Sequence, residues 1–286
     1  MKKVLAIAGA ILCLASCAPK NEEAKVMARF VPERADDFIW ENDLICYRAY
    51  GEALEGNPTA PGFDIWVKTP GALVANERYR LELEEGLSYH IDRGNGKDCY
   101  KVAVSLGAGA SSPVVDGQII YPATNYRSWE IVDSSATEIS FVLHYPAWEV
   151  DGHQVALDKK ITVTAGSYFC KAEDVYTGDF ESLTVAAGIF NHVPDDPDQT
   201  TVIAEDRLAV WEHASDTSVE PEDGMIGVAV VMPGAETIIP LEANKPHLVA
   251  LKTVTPGETL TYYFGSCWSK GDVKTAEDWL SIVNAQ

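Results

Sequence analysis

From Phe38 onward the chain is built of short segments rich in β-branched and aromatic residues, about one every ten residues, bounded by Gly, Pro, Asn and Asp. No other feature limits the fold as strongly. The expected strands are Asp43–Tyr50, Gly62–Val67, Tyr100–Leu106, Tyr126–Val132, Glu138–Tyr145, Leu157–Thr164, Tyr168–Tyr176, Leu183–Phe190, Arg207–Glu212, Met225–Met232, Thr237–Leu241, His247–Thr253 and Thr259–Phe264. Ile161-Thr162-Val163-Thr164 shows the period-2 alternation of a half-buried strand. Strands at this spacing predict an all-β sandwich or barrel. Two segments read as helix. Ala72–Glu85 ends at Gly86, a natural left-handed stop. Near the C-terminus Thr275 caps, Asp278 follows three residues later, and Trp279, Ile282 and Val283 share one face.

The 286 residues are 47 % apolar and 23 % charged, which is a globular composition. The 22 Lys plus Arg against 43 Asp plus Glu leave a formal charge of −21. Nucleic-acid affinity comes from basic side chains neutralising phosphates, and no basic run is present, so a nucleic-acid partner is not expected.

The first residues read as an address. Lys2 and Lys3 precede an apolar run from Val4 to Leu14, then Leu14-Ala15-Ser16-Cys17. That ending resembles a bacterial lipobox, in which the cysteine is acylated. The expected division is a signal peptide over residues 1–16, a lipidated tether over 17–29 and a single domain over 30–286. The expected location is the cell envelope, held to a membrane by lipid at Cys17, with the periplasmic and cell-surface faces both open. Cys46, Cys99, Cys170 and Cys267 show no Cys-x-x-Cys spacing; three disulfide pairings are possible, and buried free thiols are the preferred reading.

Several chemistries are unsupported. The chain has no Gly-x-Ser-x-Gly elbow, no His-Glu-x-x-His helix, no Walker loop and no strand–Gly-x-Gly-x-x-Gly–helix unit, so no nucleotide cofactor is expected. The densest chemistry lies in Tyr89–Lys101, which holds His90, Asp92, Arg93, Asp98, Tyr100 and Lys101 around Gly94 and Gly96. Gly94-x-Gly96-x-Asp98 partly matches a calcium nonapeptide, but that architecture stacks repeats and this stretch occurs once, so no metal site is assigned. Imidazole suits proton transfer near neutral pH. His90 lies in the loaded loop and His192 follows a strand in Gly188-Ile189-Phe190-Asn191-His192, whereas His153 and His247 read as bland. Aromatic rings offer stacking faces to sugars. Trp268, between Gly265 and Gly271 beside Lys270, is the first choice among them, and Tyr126 is a second contact.

An ordered set of motifs carries a family resemblance. Phe30-Val31-Pro32-Glu33-Arg34, Asp36-Asp37-Phe38-x-Trp40, Tyr47-Arg48-x-Tyr50-Gly51 and Gly62-Phe63-Asp64-Ile65-Trp66 open it. Tyr89-His90-x-Asp92-x-Gly94-x-Gly96-x-Asp98, Ser105-Leu106-Gly107, Tyr121-Pro122-x-x-Asn125-Tyr126 and Gly265-x-x-Trp268-Ser269-Lys270 complete it. Together they resemble the domain-of-unknown-function 4861 family of secreted proteins. The resemblance implies a galactose-mutarotase-like β-supersandwich and a setting in polysaccharide utilisation. It further implies a lyase-like activity, the removal of water from the terminal uronic acid of an oligosaccharide. At the Arg93 position the family pattern often carries a second histidine or another polar residue.

Elimination across C4–C5 of a uronate needs donors for its carboxylate, a base for the C5 proton and an acid for the departing hydroxyl. His90, His192 and Tyr100 are the expected catalytic groups. Asp92, Arg93, Asp98, Lys101, Tyr126, Trp268 and Lys270 are the expected substrate contacts. A sugar epimerase and a non-catalytic glycan-binding lipoprotein remain alternatives.

Overall fold

The computed structural model describes residues 23–55, 62–213, 223–243 and 245–286; the stretch 1–16 that reads as a signal peptide, and Cys17, lie outside them. Three antiparallel sheets make up the fold. The first has five strands in chain order: β1 (Val26–Val31), β2 (Asp37–Asn42), β3 (Cys46–Ala49), β4 (Asp64–Lys68) and β5 (Gly96–Asp98). A second five-stranded sheet uses β6 (Ala108–Val115), β7 (Gln118–Ile119), β12 (Leu183–Phe190), β16 (Thr237–Leu241) and β17 (His247–Val254), ordered β16-β17-β12-β6-β7. The largest contains β8 (Ser128–Ser134), β9 (Glu138–Val150), β10 (His153–Thr164), β11 (Phe169–Gly178), β13 (Thr200–Ile203), β14 (Arg207–His213), β15 (Met225–Val231) and β18 (Thr259–Trp268). Its order is β13-β14-β15-β18-β11-β10-β9-β8.

The eight-stranded sheet is one layer and the two smaller sheets together form the other. A parallel bridge, Phe63 to Gly107, joins the smaller sheets. Strand alternation explains the core. On β18 the residues Leu260, Tyr262, Phe264 and Trp268 face it, where Phe264 meets Trp40, Tyr47 and Phe63 of the first sheet. The intervening Tyr263 and Cys267 face the opposite way, onto helix α2 (Ala276–Ala285). This is the all-β sandwich with a short C-terminal helix that the strand rhythm predicts.

Helix α2 begins with the expected capping box, Thr275 and Asp278 each bonding the other's backbone N–H. Its Trp279 stacks on Phe169 at 5.7 Å and comes close to Gly227 of β15. Gly227 permits that approach, since a Cβ there would sit 2.7 Å from the indole. Helix α1 (Ala75–Glu85) stops at Gly86, as expected, but carries no capping side chain of its own. Glu41 of β2 supplies the cap, accepting from the N–H groups of Val74 and Ala75 at 2.9 Å, while Lys68 balances its charge.

Three expectations change. Strand β1 begins at Val26, inside the stretch read as tether, and pairs with β2 along its whole length. The strand expected from Asp43 begins at Cys46, because the Asn42 side chain accepts from the N–H groups of Leu44 and Ile45 and closes a hairpin turn. Tyr100–Leu106 is irregular chain. Ala103 takes a positive φ of 51°, the Ser105 hydroxyl donates to the Val102 carbonyl, and the Leu106 N–H is taken by His247. Among the described residues Cys46, Cys99, Cys170 and Cys267 are free and buried.

Candidate functional site

Side chains of the first sheet alternate between two faces. Phe38, Tyr47, Ile65 and Val67 point into the sandwich. Asp37, Arg48, Asp64 and Asp98 point the other way, toward α1 and the Tyr89–Lys101 loop. Register sets them side by side: Arg48 is the direct partner of Asp64, and Trp66 of Asp98. Gly96 makes the last pairing possible. Its φ is +100°, and a Cβ there would lie 2.1 Å from the Val67 carbonyl oxygen.

Arg48 is the centre of the cluster. Its guanidinium bonds Asp64, lies 2.8 Å from Asp98 and 3.7 Å from Asp37, and reaches the Tyr50 hydroxyl at 3.4 Å. The rings of Trp66, Tyr50 and Tyr89 lie within 5.0–5.6 Å of it. Arg34 closes one side, 3.3 Å from Asp37 and 3.2 Å from the Tyr89 hydroxyl. Tyr79 donates to Asp37 at 3.1 Å.

Two cations and three carboxylates share this space. Burial raises the Asp64 carboxyl to about 8, helped by the Asp98 charge and opposed by Arg48. Burial also lifts Asp37 to about 6, against the pull of Arg48 and Arg34. Arg48 thus sits between carboxyl groups that burial pushes toward their neutral forms. The buried frame opens to solvent through Arg34 and His90, whose side chain is 53 % exposed.

The predicted residues fall into three groups. His90 and Asp98 meet: the imidazole Nδ1 lies 3.1 Å from the Asp98 carbonyl oxygen and 3.8 Å from its carboxylate. Tyr100 and His192 also meet, rings edge-on at 4.9 Å, but both are buried. His192 donates from Nε2 to the Lys101 carbonyl, and its Nδ1 lies against the Glu212 carboxyl group, each at 2.7 Å, so both ring nitrogens are engaged. The Tyr100 hydroxyl has no hydrogen-bond partner among the described residues, and burial, then Glu212, raises its pKa, with a further contribution from Asp64.

The third group lies elsewhere. Asp92 accepts from the Gly94 and Gly96 N–H groups at 2.8 and 2.9 Å; though partial burial opposes it, these bonds hold the carboxyl below its usual range and shape the turn. Arg93 turns back to the carbonyls of Ser88 and Ile91. Lys101 is exposed. Trp268 is buried with its indole N–H on the Asp223 carbonyl, so it presents no platform, and Lys270 lies over its ring at 5.6 Å. Tyr126 is buried, its hydroxyl on the Asp36 carbonyl, at the wall of a groove beside Trp129. The residues that sequence reading did not single out are Arg34, Asp37, Arg48, Tyr50 and Asp64. Their signal was a charge set within an apolar strand, as in Tyr47-Arg48-Ala49 and Phe63-Asp64-Ile65.

The fold is a β-sandwich that carries a buried cluster of arginines and carboxyl groups on the outer face of a small sheet. The chain belongs to the family described as Domain of unknown function (DUF4861), whose model matches residues 15–286. It is 26 % identical over 256 residues to "Uncharacterized protein P7" of Formosa agariphila, a match covering 85 % of this chain and 62 % of that protein. The chain therefore spans less than two thirds of that relative's length. A solved structure named "Putative kojibiose phosphorylase from human microbiome" aligns with 94 % of this chain and 36 % of its own, at 8 % identity and a TM-score of 0.47.

Proposed function

We propose that this is a carbohydrate-active carbon–oxygen lyase, a dehydratase acting across C4–C5 of a terminal uronic acid in an oligosaccharide, with its site at the Arg34–Arg48–His90 cluster. The observation that carries the reading is the combination of a half-exposed imidazole with a partly exposed guanidinium over a buried frame of one arginine and three carboxyl groups. Arg34 receives the uronate carboxylate and stabilises the charge that builds into it as C5 loses its proton. His90 holds its own proton on Nδ1 and takes the C5 proton at Nε2. The C5–H electron pair becomes the C4–C5 double bond, the C4–O bond breaks, and His90 returns the proton to the departing hydroxyl, which leaves as water. Arg48 and the three aspartates hold these groups in place.

The global negative charge opposes an anionic substrate at long range, but salt screens that field beyond about 8–10 Å. The sequence further supports a lipid tether at Cys17 and a place in the cell envelope.

The test is ultraviolet absorbance of the purified protein with uronate-terminated oligosaccharides, followed by mass spectrometry. A new conjugated chromophore with loss of one water supports dehydration. Product chains shortened at a glycosidic bond would make it a polysaccharide lyase instead. An inert panel by both readouts would sink the elimination reading.

A further inference from the structure

The chain has seven tryptophans, and Trp129 alone among them is exposed, at 40 %. It stands on β8, an edge strand of the large sheet, whose seven residues are all exposed. Its ring is fixed from behind. Phe30 stacks on it at 5.8 Å and 26°, and Phe38 supports it at 5.6 Å. The ring therefore forms one wall of an open groove of about 420 Å³, lined also by Asp36, Glu52, Tyr126, Arg127 and Ser128.

The polar groups in the groove are arranged for a hydroxyl-rich ligand. Asp36 sits at φ +58°, a conformation that favours Gly, Asn and Asp, and its carboxylate has no hydrogen bond or ion pair among the described residues. Glu52 reaches Arg127 only at 3.9 Å. Arg127 is already held by both carboxylate oxygens of Glu55. The free charge at the groove is thus negative. It offers acceptors to sugar hydroxyls and repels a uronate. An aromatic face flanked by carboxylate acceptors suits the C–H-rich face and rim hydroxyls of a neutral pyranose.

One turn connects the groove to the acid–base cluster. Arg34 and Asp37 face the cluster, and Asp36 faces the groove.

We infer that the Trp129 groove is a second carbohydrate-binding site, one that takes a neutral sugar unit. The ligand class rests on the carbohydrate reading given above; the groove's geometry does not.

The experiment is titration calorimetry of the full chain with neutral xylo-, manno- and galacto-oligosaccharides and with uronate oligosaccharides, under conditions where no turnover is scored. At least one neutral series binds the native protein. Trp129→Ala weakens it roughly tenfold or more, the equivalent of about 1.4 kcal/mol. Asp36→Asn, which tolerates the same backbone conformation, also weakens it while leaving the melting temperature unchanged. Binding by no neutral series, or affinity unchanged in both variants, overturns the inference. So does self-association through the β8 edge that Trp129→Ala abolishes in the absence of sugar. Neutral-sugar binding in a protein that dehydrates nothing would sink the proposed reaction and leave this site standing.

Discussion

His90 Nδ1 lies 3.1 Å from the carbonyl oxygen of Asp98, and a carbonyl only accepts, so Nδ1 donates there and the neutral tautomer carries its lone pair on Nε2. A histidine held this way is a base with a fixed direction. His90→Gln keeps a donor for that carbonyl and removes the base. Turnover on a uronate oligosaccharide falls by about 10²–10⁴-fold with no change in the unfolding midpoint. Activity that survives the substitution would remove His90 from the chemistry.

Asp64 sets a pH dependence of stability. Its carboxyl titrates at 3.8 when unfolded and at about 8 when folded, because burial and the Asp98 charge favour the neutral form. Between those values the folded state binds more protons, so stability falls as pH rises, by at most about 1.4 kcal/mol per unit from this group. Above about 8 the loss is complete. Asp64→Asn flattens the slope in that window. Denaturation midpoints measured across it, for both proteins, decide the matter; parallel curves would mean that the Asp64 proton is not linked to folding.

The strand rhythm was legible because burial on one face forces alternation. Leu183–Phe190 and Thr237–Leu241 coincide with β12 and β16 to the residue. Tyr100–Leu106 alternates equally well, yet side chains take its backbone groups: Ser105, His192 and His247 bond there in place of a neighbouring strand. Alternation reports burial and says nothing of who satisfies the amides. Strand β1 was hidden for a different reason. Met27, Ala28 and Arg29 have little strand character, and pairing with β2 makes the strand. Within the site, His90 stood out in a polar loop, whereas Arg48 and Asp64 become neighbours only through the register of β3 on β4, which local sequence does not reveal.

His247 works in the opposite sense to Asp64. It donates from Nδ1 to the Lys245 carbonyl and accepts the Leu106 N–H at Nε2, so the fold requires the neutral ring. Burial lowers its pKa from 6.5 to about 4. Stability from this residue is complete above 6.5 and is lost as pH falls toward about 4, by up to about 3 kcal/mol. His247→Gln supplies both an acceptor and a donor without titrating. Its melting temperature changes less than that of the native protein on acidification through this window; an equal change would place the acid sensitivity elsewhere.

Lys159 and Asp174 form an ion pair at the centre of the sandwich, both almost fully buried. Ser111 and Tyr262 also donate to Asp174, and Tyr176 reaches Ser111 at 2.7 Å. Burial drives the Lys159 pKa down even with Asp174 beside it. Because each ion was taken out of water at a cost, the pair adds little net stability, while breaking it is expensive. Lys159→Met strands the carboxylate and costs about 3–5 kcal/mol in urea unfolding. Adding Asp174→Asn removes the stranded charge and keeps an oxygen for the two hydroxyls, so the double variant recovers most of the loss. A double variant as unstable as the single one would mean that the contact of the Lys159 ammonium with the rings of Phe63 and Tyr262, 5.6 and 5.7 Å from their centres, matters more than its pairing with Asp174.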